Sequence, residues 1–258
     1  MSRLKAISTL LFNNRLEQYE KIIKLALEND YQVISFRDYA RNDFDPSKKI
    51  FILRHDIDFE SKATVRMFAI EKKYGVKASY YFRDCTADAI LIKMIESYGS
   101  EASFHYETIA DFVRARNIGT KEELLKTDFK NICLEILKKE LERFRLLYNV
   151  PCETIASHGH VINKRFKLKN TLLTENEESY KFLNIKLETY NKRIYGENSC
   201  YISDANPLKI NGGYYSISGT NPLQAIKNEI KLIKLLTHPH LWHFSSIQKI
   251  KIIRDCLI

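Results

Sequence analysis

The stretch KKIFILRHDID, residues 48–58, decides how the rest of the chain is read. Ile50 to Leu53 are four apolar residues in a row, β-branched at two positions and with no polar face. A strand covered on both sides reads this way, and such strands belong to parallel sheets flanked by helices. The run then passes directly into Arg54, His55, Asp56, Ile57 and Asp58. Side chains alternate along an extended chain, so Arg54, Asp56 and Asp58 are expected on one side. Two neighbouring carboxylates repel unless a cation lies beside or between them. Arg54 could supply that charge, and so could a divalent metal. If Asp58 binds a metal, Asp56 stays free as a general base. The competing role for Asp58 is to cap a helix starting at Glu60, which explains one aspartate but not the pair.

Working outward, residues 15–29 carry apolar positions at helical spacing, and YQVISF (31–36) reads as a strand. A helix over 60–75 ends at Gly75. KASYYF (77–82) and EASFHYE (101–107) read as strands around a helix over 88–99. One long charged helix is expected from Lys121 to Tyr148, then a strand at 153–159. Residues 161–200 are polar, with a strand expected inside KFLNIKLETY (181–190). A strand at 199–204, a loop NGGYYSISGTNP (211–222), a helix at 221–230, a strand at 232–238 and a last helix near 245–256 complete the chain. This alternation predicts an α/β fold, a parallel sheet with helices outside. A length of 258 residues suits one domain spanning 1–258. In such folds reactive residues gather at the carboxyl ends of strands.

Composition narrows the classes. Hydrophobic residues make up 45% and charged residues 28%, as in soluble globular proteins. The formal net charge of +9 fits solubility first, and an anionic partner such as a sugar nucleotide second. No RNA- or DNA-binding motif spacing accompanies the charge, so nucleic acid is not expected. Five cysteines, odd in number and with no CxxC pair, indicate a reducing compartment. With no signal peptide and no apolar run long enough for a transmembrane segment, a cytoplasmic location is expected. Oligomeric state is not legible.

The seven histidines fall in four places: His55, His105, the pair His158 and His160, and the group His238, His240 and His243. Each place lies at or just past the carboxyl end of an expected strand, which favours a shared site. His105 and Glu107, two apart, face the same way if extended, and both suit zinc or a similar divalent metal. An ion pair is the alternative for Glu107. Asp204 in SDANP is a further candidate. Trp242 belongs either to the core or to a pocket wall.

In order, LRHDID, ASYYFR, EASFHYE, SHGH, YISDA and LLTHPHLW resemble the polysaccharide-deacetylase family, in its divergent R-H-D-x-D branch associated with surface-polysaccharide (lipopolysaccharide or capsule) biosynthesis. The resemblance spans about Tyr31 to Trp242. It implies a distorted (β/α) barrel and a metal-dependent amidohydrolase acting on a non-peptide C–N bond. The substrate would be an N-acylated, typically acetylated, sugar, sugar nucleotide or glycan precursor. It implies Asp56 as base, Asp58 and His105 as metal ligands, His238 as general acid and Asp204 as its orienting partner. The metal would be zinc, with cobalt or nickel as alternatives. The family's second metal histidine is absent, because Ile109 stands in its place. His158 is the preferred replacement and Glu107 the other candidate. The arginine that holds the base is missing from SHGH, leaving Arg54 or Arg83 to take its part. Two alternatives stay open: hydrolysis of a formamide or cyclic amide, and an inactive carbohydrate-binding protein on the same fold.

Overall fold

The apolar run at 50–53 forms the centre of a nine-residue strand around which the sheet is built. The structure is a computed structural model, and it describes residues 15–59, 62–169, 171–194, 196, 198–204, 215–216 and 220–243. In chain order the strands are β1 (Tyr31–Ile34), β2 (Lys49–Ile57), β3 (Ser79–Phe82), β4 (Glu101–Tyr106), β5 (Thr154–Ser157), β6 (Leu187–Glu188), β7 (Ser199–Ser203), β8 (Tyr215–Ser216) and β9 (Leu232–Thr237). They follow the order β6-β5-β4-β3-β2-β9-β7-β8, with β1 beside β2. Every pairing is parallel except β7 with β8. On one edge of β2, β1 covers Lys49–Ile52 and β3 covers Arg54–Ile57. One long strand thus serves two short neighbours end to end, which distorts the sheet.

The sheet curls into a barrel closed by side chains. In a flat sheet β2 and β6, four positions apart, would be separated by about 19 Å. Instead Arg54 on β2 donates from Nη1 to Thr189 Oγ1, just past β6, at 2.7 Å. Across the seam the rings of Tyr190 and Tyr201 lie 6.1 Å apart. Lys234 on β9, buried, donates to the Ile194 carbonyl at 2.6 Å. The protein is therefore an α/β fold of the distorted (β/α) barrel kind. Alternation along β2 sorts its side chains: Phe51, Leu53 and Ile57 join the large core under the helices, while Ile50 and Ile52 join a smaller cluster with Tyr81, Ala156, Leu187 and Ile194. That smaller cluster plugs the barrel below Arg54.

The helices are α1 (Arg15–Glu28), α2 (Phe36–Arg41), α3 (Lys62–Tyr74), α4 (Ala89–Tyr98), α5 (Thr108–Ala115), α6 (Lys121–Leu125), α7 (Phe129–Tyr148), α8 (Val161–Arg165), α9 (Glu177–Leu183) and α10 (Pro222–Lys227). Gly75, at φ +66°, ends α3 where an L side chain would be strained. Three expectations change. The strand expected to reach Phe36 stops at Ile34, because Ser35 caps α2 in a reciprocal capping box with Asp38. The single helix over 121–148 is two: Thr120 and Glu123 box the start of α6, Thr127 turns its hydroxyl back onto the Leu124 carbonyl, and α7 starts after Asp128. Residues 161–200 contribute α8 and α9 beside the short β6. The start of α3 near Glu60, most of the 211–222 loop and the helix expected near 245–256 lie outside the described residues. Among the described residues no helix is long and apolar enough to cross a membrane, and the four described cysteines are free.

Candidate active site

The site sits at the carboxyl ends of β2, β4, β5 and β9. Arg54 and Asp56 share the inner face of β2, as their two-residue spacing requires. Both are buried, and the guanidinium grips the carboxylate with two bonds, Nε to Oδ1 at 2.7 Å and Nη2 to Oδ2 at 2.8 Å. Tyr190 flanks Arg54, its hydroxyl 3.2 Å from Nη2 and its ring 4.5 Å from the guanidinium carbon. Burial alone would raise the pKa of Asp56, but the Arg54 guanidinium outweighs it and holds the carboxyl below its usual range. Arg83 is not the arginine that holds Asp56; it pairs with Glu107 instead.

Asp58 lies one residue past β2. Its Oδ1 is 3.5 Å from His105 Nε2 and 3.6 Å from His158 Nε2, and its Oδ2 is 3.7 Å from His238 Nε2. Each imidazole is anchored through its other nitrogen. His105 Nδ1 lies 3.0 Å from the Ala156 carbonyl, which can only accept, so the proton sits on Nδ1. His158 Nδ1 lies 3.0 Å from Glu107 Oε2 and makes the same choice. In the neutral rings both Nε2 lone pairs then face the hollow beside Asp58 Oδ1, a buried oxygen with no hydrogen-bond partner, and His105 Nε2 also lies 3.4 Å from Asp56 Oδ2. Three lone pairs converging on one spot repel unless a cation lies among them.

Asp58, His105 and His158 form the one group with metal-ligand spacing among the described residues. A tetrahedral zinc with ligands at 2.0–2.1 Å sets its donor atoms about 3.4 Å apart, close to the two N···O separations given above. The donor set, one carboxylate oxygen and two imidazole nitrogens, also suits zinc, cobalt or nickel. The residues therefore fit a divalent cation.

His238 follows β9. Its Nδ1 is 2.6 Å from Asp204 Oδ1, and its backbone N–H donates to Asp204 Oδ2 at 2.8 Å. Trp242 Nε1 donates to the same Oδ2 at 2.5 Å. Burial disfavours a charged imidazole here, but Asp204, with Asp56 and Asp58 beyond it, raises the His238 pKa to about 9. Trp242 is thus a core residue that also serves the site, since it is buried against Tyr19 and braces the Asp204 carboxylate.

The structure thus brings together Arg54, Asp56, Asp58, His105, His158, Asp204 and His238. It does not bring in His55. Alternation turns that ring to the outer face of β2, where Nε2 meets Glu71 Oε1 at 2.7 Å and Nδ1 meets Thr237 Oγ1 at 2.6 Å. Thr189, Tyr190 and the bracing role of Trp242 went unforeseen, because no local pattern says which stave of a barrel a polar segment will face.

No protein-family model matches the chain, and no curated protein matches its sequence. Two solved structures resemble it. One is the Streptococcus pyogenes deacetylase PplD in complex with acetate, at 13% identity and a TM-score of 0.46, covering 93% of this chain and 85% of that one. The other is a mutant of BA3943, a CE4 family pseudoenzyme with restored enzymatic activity, at 13% identity and a TM-score of 0.41, covering 83% of this chain and 64% of that one. The functional reading rests on the geometry of the site itself.

Proposed function

We propose that this chain is a metal-dependent hydrolase that removes an N-acyl group, in the first instance acetyl, from a sugar, sugar nucleotide or glycan precursor. The supporting observation is the orphaned Asp58 Oδ1 faced by two imidazole nitrogens whose other nitrogens are already committed. Asp58, His105 and His158 would hold the cation. Bound there, it would lower the pKa of a water ligand toward about 7 and polarise the acyl carbonyl.

The remaining steps belong to side chains. Arg54 keeps Asp56 ionised and aimed into the hollow, so Asp56 is available to accept the proton of the attacking water. Asp204 takes the Nδ1 side of His238, which leaves Nε2 facing the hollow as the proton donor. An amine leaves poorly unless protonated, so this transfer matters most as the C–N bond breaks. The pathway assignment, surface-polysaccharide biosynthesis, follows from the sequence resemblance. The net charge of +9 fits an anionic carrier such as a nucleotide.

The test is acetate release from N-acetylated UDP-sugars and oligosaccharides by zinc-loaded protein. His238→Ala should lower kcat about 10²–10⁴-fold with little change in KM; binding lost with turnover intact would contradict the role. A second reading, an inactive carbohydrate-binding protein, draws on Ile109, which is buried in the core where the resemblance expects a ligand. Sugar binding by a protein that takes up no metal would favour it.

A further inference from the structure

We propose that Glu107, held by Arg83, is a positioning residue for His158 and not itself a metal ligand, and that this pair makes good the histidine missing at position 109. The inference rests on the metal site proposed above.

Both Glu107 oxygens are already committed. Oε1 accepts from Arg83 Nη2 at 2.6 Å, and Oε2 faces His158 Nδ1 at 3.0 Å. To ligate a cation, Glu107 would have to leave both partners. Its backbone explains why it faces sideways. β4 ends at Tyr106, and Glu107 is the turn residue whose carbonyl accepts from Ala110 and Asp111 at the head of α5. The strand alternation that would align it with His105 has stopped by then.

His158 needs such a partner more than His105 does. His105 lies within β4 and rests on the carbonyl of the neighbouring strand. His158 lies past the end of β5, tied there by its backbone N–H to the Tyr106 carbonyl at 2.8 Å. Glu107 fixes its ring orientation and its tautomer, and the carboxylate makes Nε2 a stronger donor. Arg83 compensates this half-buried charge and also reaches the Asp58 carbonyl from Nη1 at 3.3 Å. One guanidinium therefore ties the turn after β2 to the carboxylate that orients His158.

The experiment measures zinc affinity of the metal-stripped 258-residue chain by competition with a chromophoric chelator. It also records the visible spectrum of the cobalt form. Wild type should take up one zinc. Glu107→Ala should bind about 10–100-fold more weakly at unchanged stoichiometry. Glu107→Gln, which keeps an oxygen acceptor for Nδ1–H, should recover part of the loss. His158→Ala should alter the cobalt spectrum, whereas Glu107→Gln should preserve it. Nitrogen-15 shifts of His158 should report an Nδ1-protonated ring in zinc-free wild type and a loss of that preference in Glu107→Ala. Wild-type affinity and tautomer in Glu107→Ala overturn the inference while leaving the site intact, as does a cobalt spectrum that changes with Glu107 and not with His158. A wild-type chain that takes up no zinc overturns the site and this inference with it.

Discussion

Arg54 and Asp56 sit two residues apart on a strand, and that spacing alone puts a guanidinium and a carboxylate side by side in a buried layer. The pair was legible for this reason: period-two alternation is the most local rule a strand obeys. What surrounds the pair was not legible. Thr189 and Tyr190 reach Arg54 from 135 and 136 residues away in sequence, and nothing in the polar 161–200 region marks them. Removing Arg54 should show how much the pair carries. Arg54→Met leaves Asp56 buried without its counter-charge, so stability should fall by about 3–5 kcal/mol, read from urea unfolding. A loss below about 1 kcal/mol would mean that water or a cation already compensates Asp56. Asp204 offers a test by pH. It raises the His238 pKa, and a general acid must be protonated to act, so activity should fall as pH rises through that value. Asp204→Asn removes the carboxylate, and the alkaline limb of kcat/KM should move to lower pH. An unmoved limb would take His238 out of the acid's role.

At the scale of elements, strand ends were easier to foresee than strand faces. Grouping the histidines by position placed His55 with the others, yet the alternation that aligns Arg54 with Asp56 sends His55 to the opposite face. There it joins a closed polar cluster. Tyr19 of α1 donates to Glu71 Oε1 and Tyr80 of β3 to Oε2, both at 2.6 Å, and His55 meets Glu71 as well. Glu71, on α3, is fully buried. The cluster pins α1 and α3 to the sheet, and through Thr237 it reaches the strand end that carries His238. Glu71→Ala would leave the Tyr80 phenol without its acceptor, and the Tyr19 hydroxyl and His55 Nε2 with only the 3.3 Å contact between them. Each orphaned buried group costs about 1–3 kcal/mol, so a loss of about 2 kcal/mol or more is expected in urea unfolding. Zinc stoichiometry of the folded variant should stay unchanged, because the cluster lies across the sheet from the metal ligands. Loss of zinc uptake by folded Glu71→Ala would show that the two faces are coupled. The long helix expected at 121–148 failed for a related reason: a continuous charged pattern does not reveal a three-residue interruption when its capping residues, Thr120, Thr127 and Asp128, are themselves tolerated inside helices.

For the whole molecule, the α/β alternation announced a parallel sheet with helices outside, but closure into a barrel depends on contacts between distant segments, such as Tyr190 with Tyr201 and Lys234 with Ile194. Closure also buries carboxyl groups. Glu101 and Glu188, both fully buried, are pushed up to about 7, mainly by burial. An unfolded glutamate titrates near about 4.3. Between those values the folded chain keeps protons that the unfolded chain has released, so stability falls as pH rises through this window. His238 acts in the same direction further up: its raised pKa stabilises the fold at lower pH, and that contribution is lost as pH rises through about 9. Glu153 acts in the opposite sense. Hydrogen bonding from Arg41, with Lys186 alongside, holds it at about 2, so its contribution is present above about pH 4.3 and is lost as pH falls toward about 2. In zinc-free protein Glu101, Glu188 and His238 thus favour mildly acidic solution, against the smaller opposing effect of His160 and His240, whose pKa values burial lowers. Zinc should add to this stability. A cation held by Asp58, His105 and His158 stabilises the folded chain by an amount that grows with the ratio of free zinc to Kd. Urea midpoints measured at pH 5, 6.5 and 8, with chelator and then with excess zinc, should show a falling series in the first case. In the second, the midpoints should rise above those with chelator, by more at higher free zinc. Identical midpoints with and without zinc would mean that the two imidazoles and Asp58 do not share an ion.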